Sequence, residues 1–223
     1  MITQVQSFLN LVFIGFISLF PPVNPLGTAL LLDPYFHHLG KSVRKSSARK
    51  IALYCFALMV ATTIAGSWIF KLFSISIPVV QIAGGTIICK MGWELLSSDN
   101  PVKSSEKANS QPDSQPGQDI EDLLFYPLAF PMTTGPGTIS VLLTLSAHSH
   151  SSHFPTYLLN LSAIIFSVIL MTILIYLSFT LSPKLIKRFG PRGGLVVNRL
   201  TAFLVFCVGL QIISTGIMHF IKK

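Results

Sequence analysis

Charged residues are scarce in this chain of 223 residues, since Asp, Glu, Lys and Arg make up only 11% of the sequence. An average soluble domain contains about a quarter. Hydrophobic residues account for 51%, so the chain resembles neither a disordered protein nor a soluble basic domain that binds nucleic acid. The composition predicts a polytopic membrane protein whose main partner is the lipid bilayer, with no nucleic acid bound.

Cysteine and the usual catalytic motifs are also rare or absent. The three cysteines, Cys55, Cys89 and Cys207, lie within apolar runs, where they are expected to pack rather than to form disulfides or bind metal. No intramembrane Ser/His pair, His-Glu-x-x-His motif, pair of aspartates or phosphate-binding loop occurs in the sequence. We therefore expect no enzymatic activity, no cofactor and no metal centre.

One cluster of histidines has spacing that metal sites also use, namely His148, His150 and His153. No cysteine or carboxylate adjoins them to complete a ligand set. A polar loop is therefore the preferred interpretation, with metal binding as the alternative.

Six apolar stretches are long enough to cross the hydrocarbon core, which needs roughly 20 helical residues. They are 5–32, 51–70, 77–96, 123–145, 158–181 and 200–221. The predicted fold class is an all-α membrane protein with six transmembrane helices. Asp33, just after the first span, is expected to be a solvated end charge.

The basic residues predict the orientation of these spans. The loops after the first and fifth spans, together with the segment between the third and fourth, carry twelve Lys and Arg residues, whereas the opposite side carries three. Basic loops face the cytoplasm, so both termini are expected on the outer side.

A polar segment divides the chain into two halves. Residues 98–122 are rich in Ser, Gln, Pro and Asp, with six acidic residues against two lysines, which is typical of a flexible linker. The predicted organisation is a first three-helix repeat at 1–97, an acidic cytoplasmic linker at 98–122 and a second three-helix repeat at 123–223.

The two halves share a short pattern at an offset of 110 residues. The pattern pairs Phe20-Pro21 with Phe130-Pro131 and Gly27-Thr28 with Gly137-Thr138, with Asn24-Pro25 and Gly135-Pro136 between them, one residue out of step. Because each half has an odd number of spans, the halves would be inverted relative to each other, an arrangement found in many secondary transporters.

Proline and glycine in this pattern predict that helices 1 and 4 are broken. Proline lacks an N–H group and disrupts the helix before it, and a lipid-facing helix could not leave the freed carbonyl groups unpaired. Two new helix N-termini would then meet near the middle of the membrane, where their N–H groups favour an anionic group. The predicted substrate-binding residues are Asn24, Pro25, Gly27, Thr28, Thr133, Thr134, Gly135, Pro136, Gly137 and Thr138. The alternative is that both breaks are structural kinks.

Four further polar residues within the spans are weaker candidates, for gating or coupling. Lys90 and Glu94 lie one helical turn apart and form either a functional ion pair or an anchor whose charged ends reach the interface. Gln81 and Gln211 are isolated amides, for which hydrogen bonding between helices is the main alternative to lining a cavity.

Several of these motifs resemble the MarC family of bacterial inner-membrane proteins. They are Asn24-Pro25-Leu26-Gly27, Ile75-Ser76-Ile77-Pro78 running into Ile82-Ala83-Gly84-Gly85, Pro127-Leu128-Ala129-Phe130-Pro131 running into Gly135-Pro136-Gly137-Thr138-Ile139, and Asn198-Arg199 with Gln211 and Gly216. The resemblance implies six spans, a location in the bacterial inner membrane with several passes, and kinship with amino-acid exporters of the LysE type. It implies no agreed substrate, and it leaves a role in antibiotic resistance open.

Two functions are consistent with these observations. The first is a transporter, an exporter of a small anionic or zwitterionic solute bound between helices 1 and 4. The second is a membrane scaffold or regulatory component that transports nothing. The sequence specifies neither the solute nor the direction and coupling of transport, and it leaves self-association open.

Overall fold

The computed structural model describes residues 2–36, 39–72, 76–97, 123–149 and 154–221. All regular structure in these ranges is helical. The elements are α1 (Ile2–Val23), α2 (Pro25–Leu31), a 3-10 turn (Asp33–Tyr35), α3 (Lys41–Leu72), α4 (Ile77–Ser97), a π-helical segment (Leu124–Thr133, the π segment), α5 (Pro136–Ser149) and α6 (Phe154–Ile221). The predicted linker and two of the clustered histidines, His150 and His153, lie outside the described residues.

Four helical stretches are long and apolar enough to cross a membrane, namely Gln6–Leu30, Lys41–Gly66, Phe154–Lys184 and Ala202–Ile221. The π segment and α5 together make a fifth candidate, which is bent by 63° at its break. The described residues thus contain four to five candidate spans, whereas the sequence predicts six. The predicted third span forms α4, which carries Gln81, Lys90 and Glu94, and such side chains make insertion less favourable.

The last two candidate spans lie within one element, because α6 is helical over 68 residues. Between these spans, the basic stretch 184–199 is also helical. The expectation of a non-helical loop there was wrong. Lys, Arg and Leu in this stretch are good helix formers, whereas Gly190, Pro191, Gly193 and Gly194 are poor ones, so helix propensity alone does not explain why the helix continues where the apolar pattern stops.

The outer surface of the helices is strongly apolar, as contact with lipid requires. Large hydrophobic side chains are exposed on every long helix, for example Phe13 (64%), Leu53 (62%), Trp93 (62%) and Phe154 (71%). A soluble monomer rarely exposes so much contiguous apolar surface. Other apolar side chains form a core between the helices and are fully buried, including Leu19, Met59, Leu128, Leu142 and Ile175.

Glycines let α4 and the second span of α6 pack backbone to backbone. A Cβ atom added to Gly85 would lie 2.7 Å from the carbonyl oxygen of Gly209, and one added to Gly209 would lie 2.6 Å from the amide nitrogen of Cys89. A Cβ added to Gly92 would lie 2.6 Å from the amide nitrogen of Phe206. Only glycine fits such contacts, and small residues are the usual means of bringing membrane helices this close.

Two serines hold two further helix pairs together, and in both pairs a glycine again allows the close approach. Ser167 in α6 donates a hydrogen bond to the Val12 carbonyl in α1 (2.9 Å), and Ser146 in α5 donates to the Thr63 carbonyl in α3 (2.7 Å). In each case a glycine three residues after the accepting carbonyl makes room for the serine. These glycines are Gly15 and Gly66.

A buried ion pair joins the 3-10 turn, α3 and the first span of α6. Arg44, which is 8% exposed, donates hydrogen bonds to Asp33 and Ser182, and its Nε donates to the Phe179 carbonyl (3.3 Å). Ser182 also donates to Asp33 (3.0 Å), and the Phe36 ring lies 6.0 Å from the guanidinium carbon. The expectation that Asp33 is a solvated end charge was therefore wrong, because its partners come from distant parts of the chain.

This cluster predicts a large loss of stability when only one charge is removed. Arg44→Met should lower the free energy of unfolding by about 3 kcal/mol, because it leaves the Asp33 carboxylate buried without its partner. Titration of the purified protein with denaturing detergent measures this. Lys45→Met removes an exposed charge from the next position and serves as the control. The double variant Asp33→Asn/Arg44→Met should be more stable than Arg44→Met alone, and equal losses would contradict the assignment.

Candidate functional site

The first junction of the candidate site lies at Asn24, between α1 and α2. Asn24 has φ 45° and ψ 55°, a left-handed conformation that asparagine tolerates better than most residues. Its side chain accepts a hydrogen bond from the Gly27 N–H (3.0 Å), and its carbonyl accepts one from the Thr28 N–H (2.8 Å). Pro25 occupies the first helical position, where no N–H is needed. The cap thus leaves only the Leu26 N–H at the N-terminus of α2 without an acceptor among the described residues.

The second junction is longer and spans the π segment. Tyr126 (φ −123°, ψ 121°) and Phe130 (φ −129°, ψ 127°) are extended rather than helical, and the peptide bonds to Pro127 and Pro131 are cis. Both extended residues precede a proline, whose ring disfavours helical backbone at the preceding position. The segment ends at Thr134, whose N–H donates to a carbonyl five residues earlier (2.8 Å).

Glycine is required where α5 begins. A Cβ atom added to Gly135 would lie 2.7 Å from the carbonyl oxygen of Pro131. The Gly135 carbonyl accepts the first bond of α5, from the Ile139 N–H (3.1 Å). The N–H groups of Gly137 and Thr138 come before this bond, and no acceptor for them occurs in the described part of the chain. The N-terminus of α5 is therefore more open than that of α2.

The two junctions lie against each other. A Cβ atom added to Gly137 would lie 3.6 Å from Cβ of Pro22, at the end of α1, and 3.5 Å from Ile88 and Met91 on α4. These are ordinary van der Waals distances, so this position is close-packed but not crowded. The short helix α2 also contacts the π segment.

The four predicted threonines are all buried, but their hydroxyl groups differ. Thr28 and Thr133 each donate to the carbonyl five residues earlier, at 3.1 and 2.7 Å. Thr134 is fully buried next to a thiol on α3. Thr138 is also fully buried, and neither its hydroxyl nor that of Thr134 has a hydrogen-bond partner among the described residues.

The thiol beside Thr134 belongs to Cys55, which sequence reasoning missed. Its sulfur lies 3.9 Å from the carbonyl oxygen of Ala129, the same carbonyl that accepts the Thr134 N–H. Cys55 thus helps to satisfy the polar groups that the π segment frees. In sequence it is one apolar-run cysteine among three, and no local signal distinguishes it.

The remaining candidates lie in different surroundings. Pro25 and Gly27 are buried, whereas Pro136 is exposed. Lys90 and Glu94 form an ion pair at 3.8 Å, with side chains 77% and 37% exposed, so this pair lies on the outer surface of α4. Gln81 is buried and Gln211 is exposed.

The glycines at the start of α5 generate a paired prediction. Gly135→Ala should lower the free energy of unfolding by several kcal/mol, because the new methyl group meets the Pro131 carbonyl inside a packed region. Gly137→Ala should change stability by less than about 1 kcal/mol, because its methyl group would make ordinary contacts. Thermal unfolding in detergent, followed by fluorescence or loss of monodispersity, compares the two variants. Equal midpoints would contradict the geometry described for Gly135.

Comparison with known proteins identifies the family. The sequence pattern described as MarC family integral membrane protein matches residues 9–221. The UPF0056 inner membrane protein MarC of Salmonella paratyphi A is 30% identical over 211 residues, which cover 94% of this chain and 95% of that protein. Proteins of the same name from Citrobacter koseri and Escherichia coli O1:K1 / APEC are 29% and 31% identical over the same coverage. No solved structure matches. This chain belongs to the MarC family of integral membrane proteins.

Proposed function

We propose that this protein is a transporter of the bacterial inner membrane that exports a small anionic or zwitterionic solute. The observation that carries the proposal is the open start of α5. Two backbone N–H groups and the buried hydroxyl of Thr138 all lack partners among the described residues. Leaving such groups unpaired inside a protein costs about 1–3 kcal/mol each, and an anionic group at the start of the 14-residue helix would satisfy them.

The rest of the proposed site comes from the elements around Gly137. The end of α1, the start of α5 and one face of α4 meet there, so a solute would be held between the first span and the bent fourth span. The cap at Asn24 and the short length of α2, 7 residues, make α2 a wall of this site and give it no role as a second anion-binding terminus. We expect no enzymatic step.

Packing supports the proposal that the chain is an inverted repeat of two three-helix halves. In such a repeat, contact of the first span with the fifth corresponds to contact of the fourth with the second. Both pairs combine a glycine with a serine that donates to the facing backbone, in Gly15 with Ser167 and in Gly66 with Ser146. The glycine lies on the first span in one pair and on the second span in the other, so the support comes from the matching contacts between spans and not from matched residues. Export would then follow from rocking of one half against the other around the site.

The orientation we propose has both termini on the outer side, because the basic stretches would then face the cytoplasm. Arg44 and its buried partners lie at that cytoplasmic end. We expect a reporter enzyme that is active only in the periplasm to be active when fused after residue 223. Fluorescence from a reporter that folds only in the cytoplasm would contradict this orientation, and the same reporter placed at residue 110 should be fluorescent.

The variant Thr138→Val distinguishes a solute-binding role of the Thr138 hydroxyl from a role in packing alone. The variant removes an unpaired buried hydroxyl, so stability without solute should stay equal or rise, while binding should weaken roughly 10- to 150-fold if a charged solute group accepts from this hydroxyl. The solute class is found first, by comparing metabolites inside and outside cells with and without the protein. Thermal stabilisation and flux in proteoliposomes then measure each variant.

The matched control is Thr172→Val, which removes a hydroxyl that bonds its own helix at the Val168 carbonyl (2.8 Å). It should bind and transport the solute like the wild type. If Thr138→Val transports normally while losing stability, the hydroxyl has a packing role and the site is elsewhere.

The second candidate function is a scaffold or regulatory component without transport. The self-contained cap at Asn24 favours it, together with the internal bonds of Thr28 and Thr133, because they show how a break can serve shape alone. This alternative predicts that no small solute raises the thermal midpoint, and that Asn24→Ala impairs function only to the extent that it reduces folded protein.

A further inference from the structure

The second span of α6 is the least covered of the four unbent candidate spans in the described chain. Only 17% of its most apolar stretch is buried, compared with 33–39% for the three other unbent spans. Its inner side is fixed by Gly209, which meets the backbone of α4. Successive residues of a helix are 100° apart, so Gln211, two positions later, lies on nearly the opposite side.

The outer side of this span carries a regular stripe of residues. They are Leu200, Leu204, Cys207, Gln211, Ser214 and Met218, with spacings of four, three, four, three and four. All are exposed except Cys207, which is partly buried. This spacing is the seam of a left-handed helix pair, in which a neighbouring helix covers both positions of each heptad.

Gln211 is the residue of the stripe that lipid cannot accommodate. It is the tenth residue of a 20-residue span, about 14 Å from either end at 1.5 Å per residue. Its side-chain amide is exposed and has no hydrogen-bond partner among the described residues. Lipid tails offer no donor or acceptor at this depth, whereas a polar side chain on a second helix would satisfy the amide.

We propose that this stripe is the interface with a second copy of the same chain. An amide carries both donors and an acceptor, so two Gln211 side chains related by a two-fold axis can bond each other reciprocally. All copies share one orientation in the membrane, which makes the paired spans parallel and places each stripe residue opposite its counterpart. The proposal does not depend on the transport function or on its solute.

The exposed ion pair on α4 is a weaker candidate than the stripe for the contact with a second copy. Lys90 and Glu94 bond each other at 3.8 Å, and Trp93 beside them is 62% exposed, as expected for a residue near the membrane surface. Such a pair can reach the interface by extension of its side chains. Gln211 has neither an internal partner nor the reach.

The native Cys207 provides the first test, because the proposed axis brings the two copies of this thiol together. The background variant Cys55→Ser/Cys89→Ser keeps only Cys207 of the three cysteines, so a disulfide within one chain cannot form. In native membranes, copper phenanthroline with oxygen should convert two thiols into one disulfide and yield a dimer on a non-reducing gel. Oxygen takes up the two electrons and two protons released.

The matched control moves the thiol off the stripe. Cys207→Ser with Leu210→Cys, in the same background, places it on another exposed position about 100° away from Gln211, and it should cross-link much less. Equal cross-linking of both variants, cross-linking of neither, or a product containing only another membrane protein would overturn the proposal.

The second test measures how much the Gln211 amide contributes to dimer formation. It uses the chain in lipid vesicles with no other substitution. Single-molecule photobleaching at a series of protein-to-lipid ratios gives the dimer dissociation constant. Gln211→Leu should raise this constant roughly 3- to 20-fold, the range expected for one hydrogen bond between membrane helices. Ser162→Ala, at an exposed hydroxyl on the first span of α6, should leave it unchanged. A monomer at all ratios, or no effect of Gln211→Leu, would contradict the role given to the amide.

Discussion

The hydrocarbon core of a membrane supplies no hydrogen bonds, so every interruption of a helix must be satisfied by the protein. The two junctions of this chain meet that constraint differently. At Asn24 a single left-handed residue bridges the break, because its side chain and carbonyl accept the N–H groups of Gly27 and Thr28 in the first turn of α2. The π segment needs ten residues, with help from Thr133 and from Cys55 on α3. Even so, it leaves the first N–H groups of α5 and the Thr138 hydroxyl open. This asymmetry between the junctions is the reason to place a ligand at the second one.

Sequence reasoning identified the apolar character of the chain, its family and the positions where helices start, because these depend on local chemistry. Asn24-Pro25 and Gly135-Pro136 are each followed by a helix that begins at the proline, as capping preferences predict. The partners of buried polar side chains could not be predicted in the same way. Apolar periodicity indicates which face of a helix is buried, but it does not identify the element that packs against that face. The bonds from Arg44 to Asp33 and to Ser182 join residues that are far apart in the sequence, so they could not be predicted.

The candidate site also shows that the sequence does not reveal the partners of polar side chains. Ten residues were predicted for it from hydroxyl groups, glycines and prolines near the breaks, and the sequence treats the four threonines alike. The fold separates them into two pairs, since the hydroxyls of Thr28 and Thr133 bond their own backbone, whereas those of Thr134, which lies beside Cys55, and Thr138 have no hydrogen-bond partner among the described residues. Which carbonyl lies within reach of a hydroxyl depends on the backbone of the break itself. The extended residues Tyr126 and Phe130 set that backbone, and neither was predicted to be extended.

The tight glycine contacts restrict how the proposed halves could move. Gly85 and Gly92 on α4 meet the second span of α6 backbone to backbone, and in an inverted repeat these two spans belong to different halves. Such an interface cannot slide without steric overlap, but it can serve as a pivot. Movement would then be concentrated where the proposed halves meet without such overlap, as at Gly137, where even an added Cβ atom would lie 3.6 Å from Cβ of Pro22. A pivot of interlocked glycines and a junction at ordinary contact distance at the solute site are what rocking requires, and the same pivot keeps the outer stripe of α6 facing away from the site during that motion.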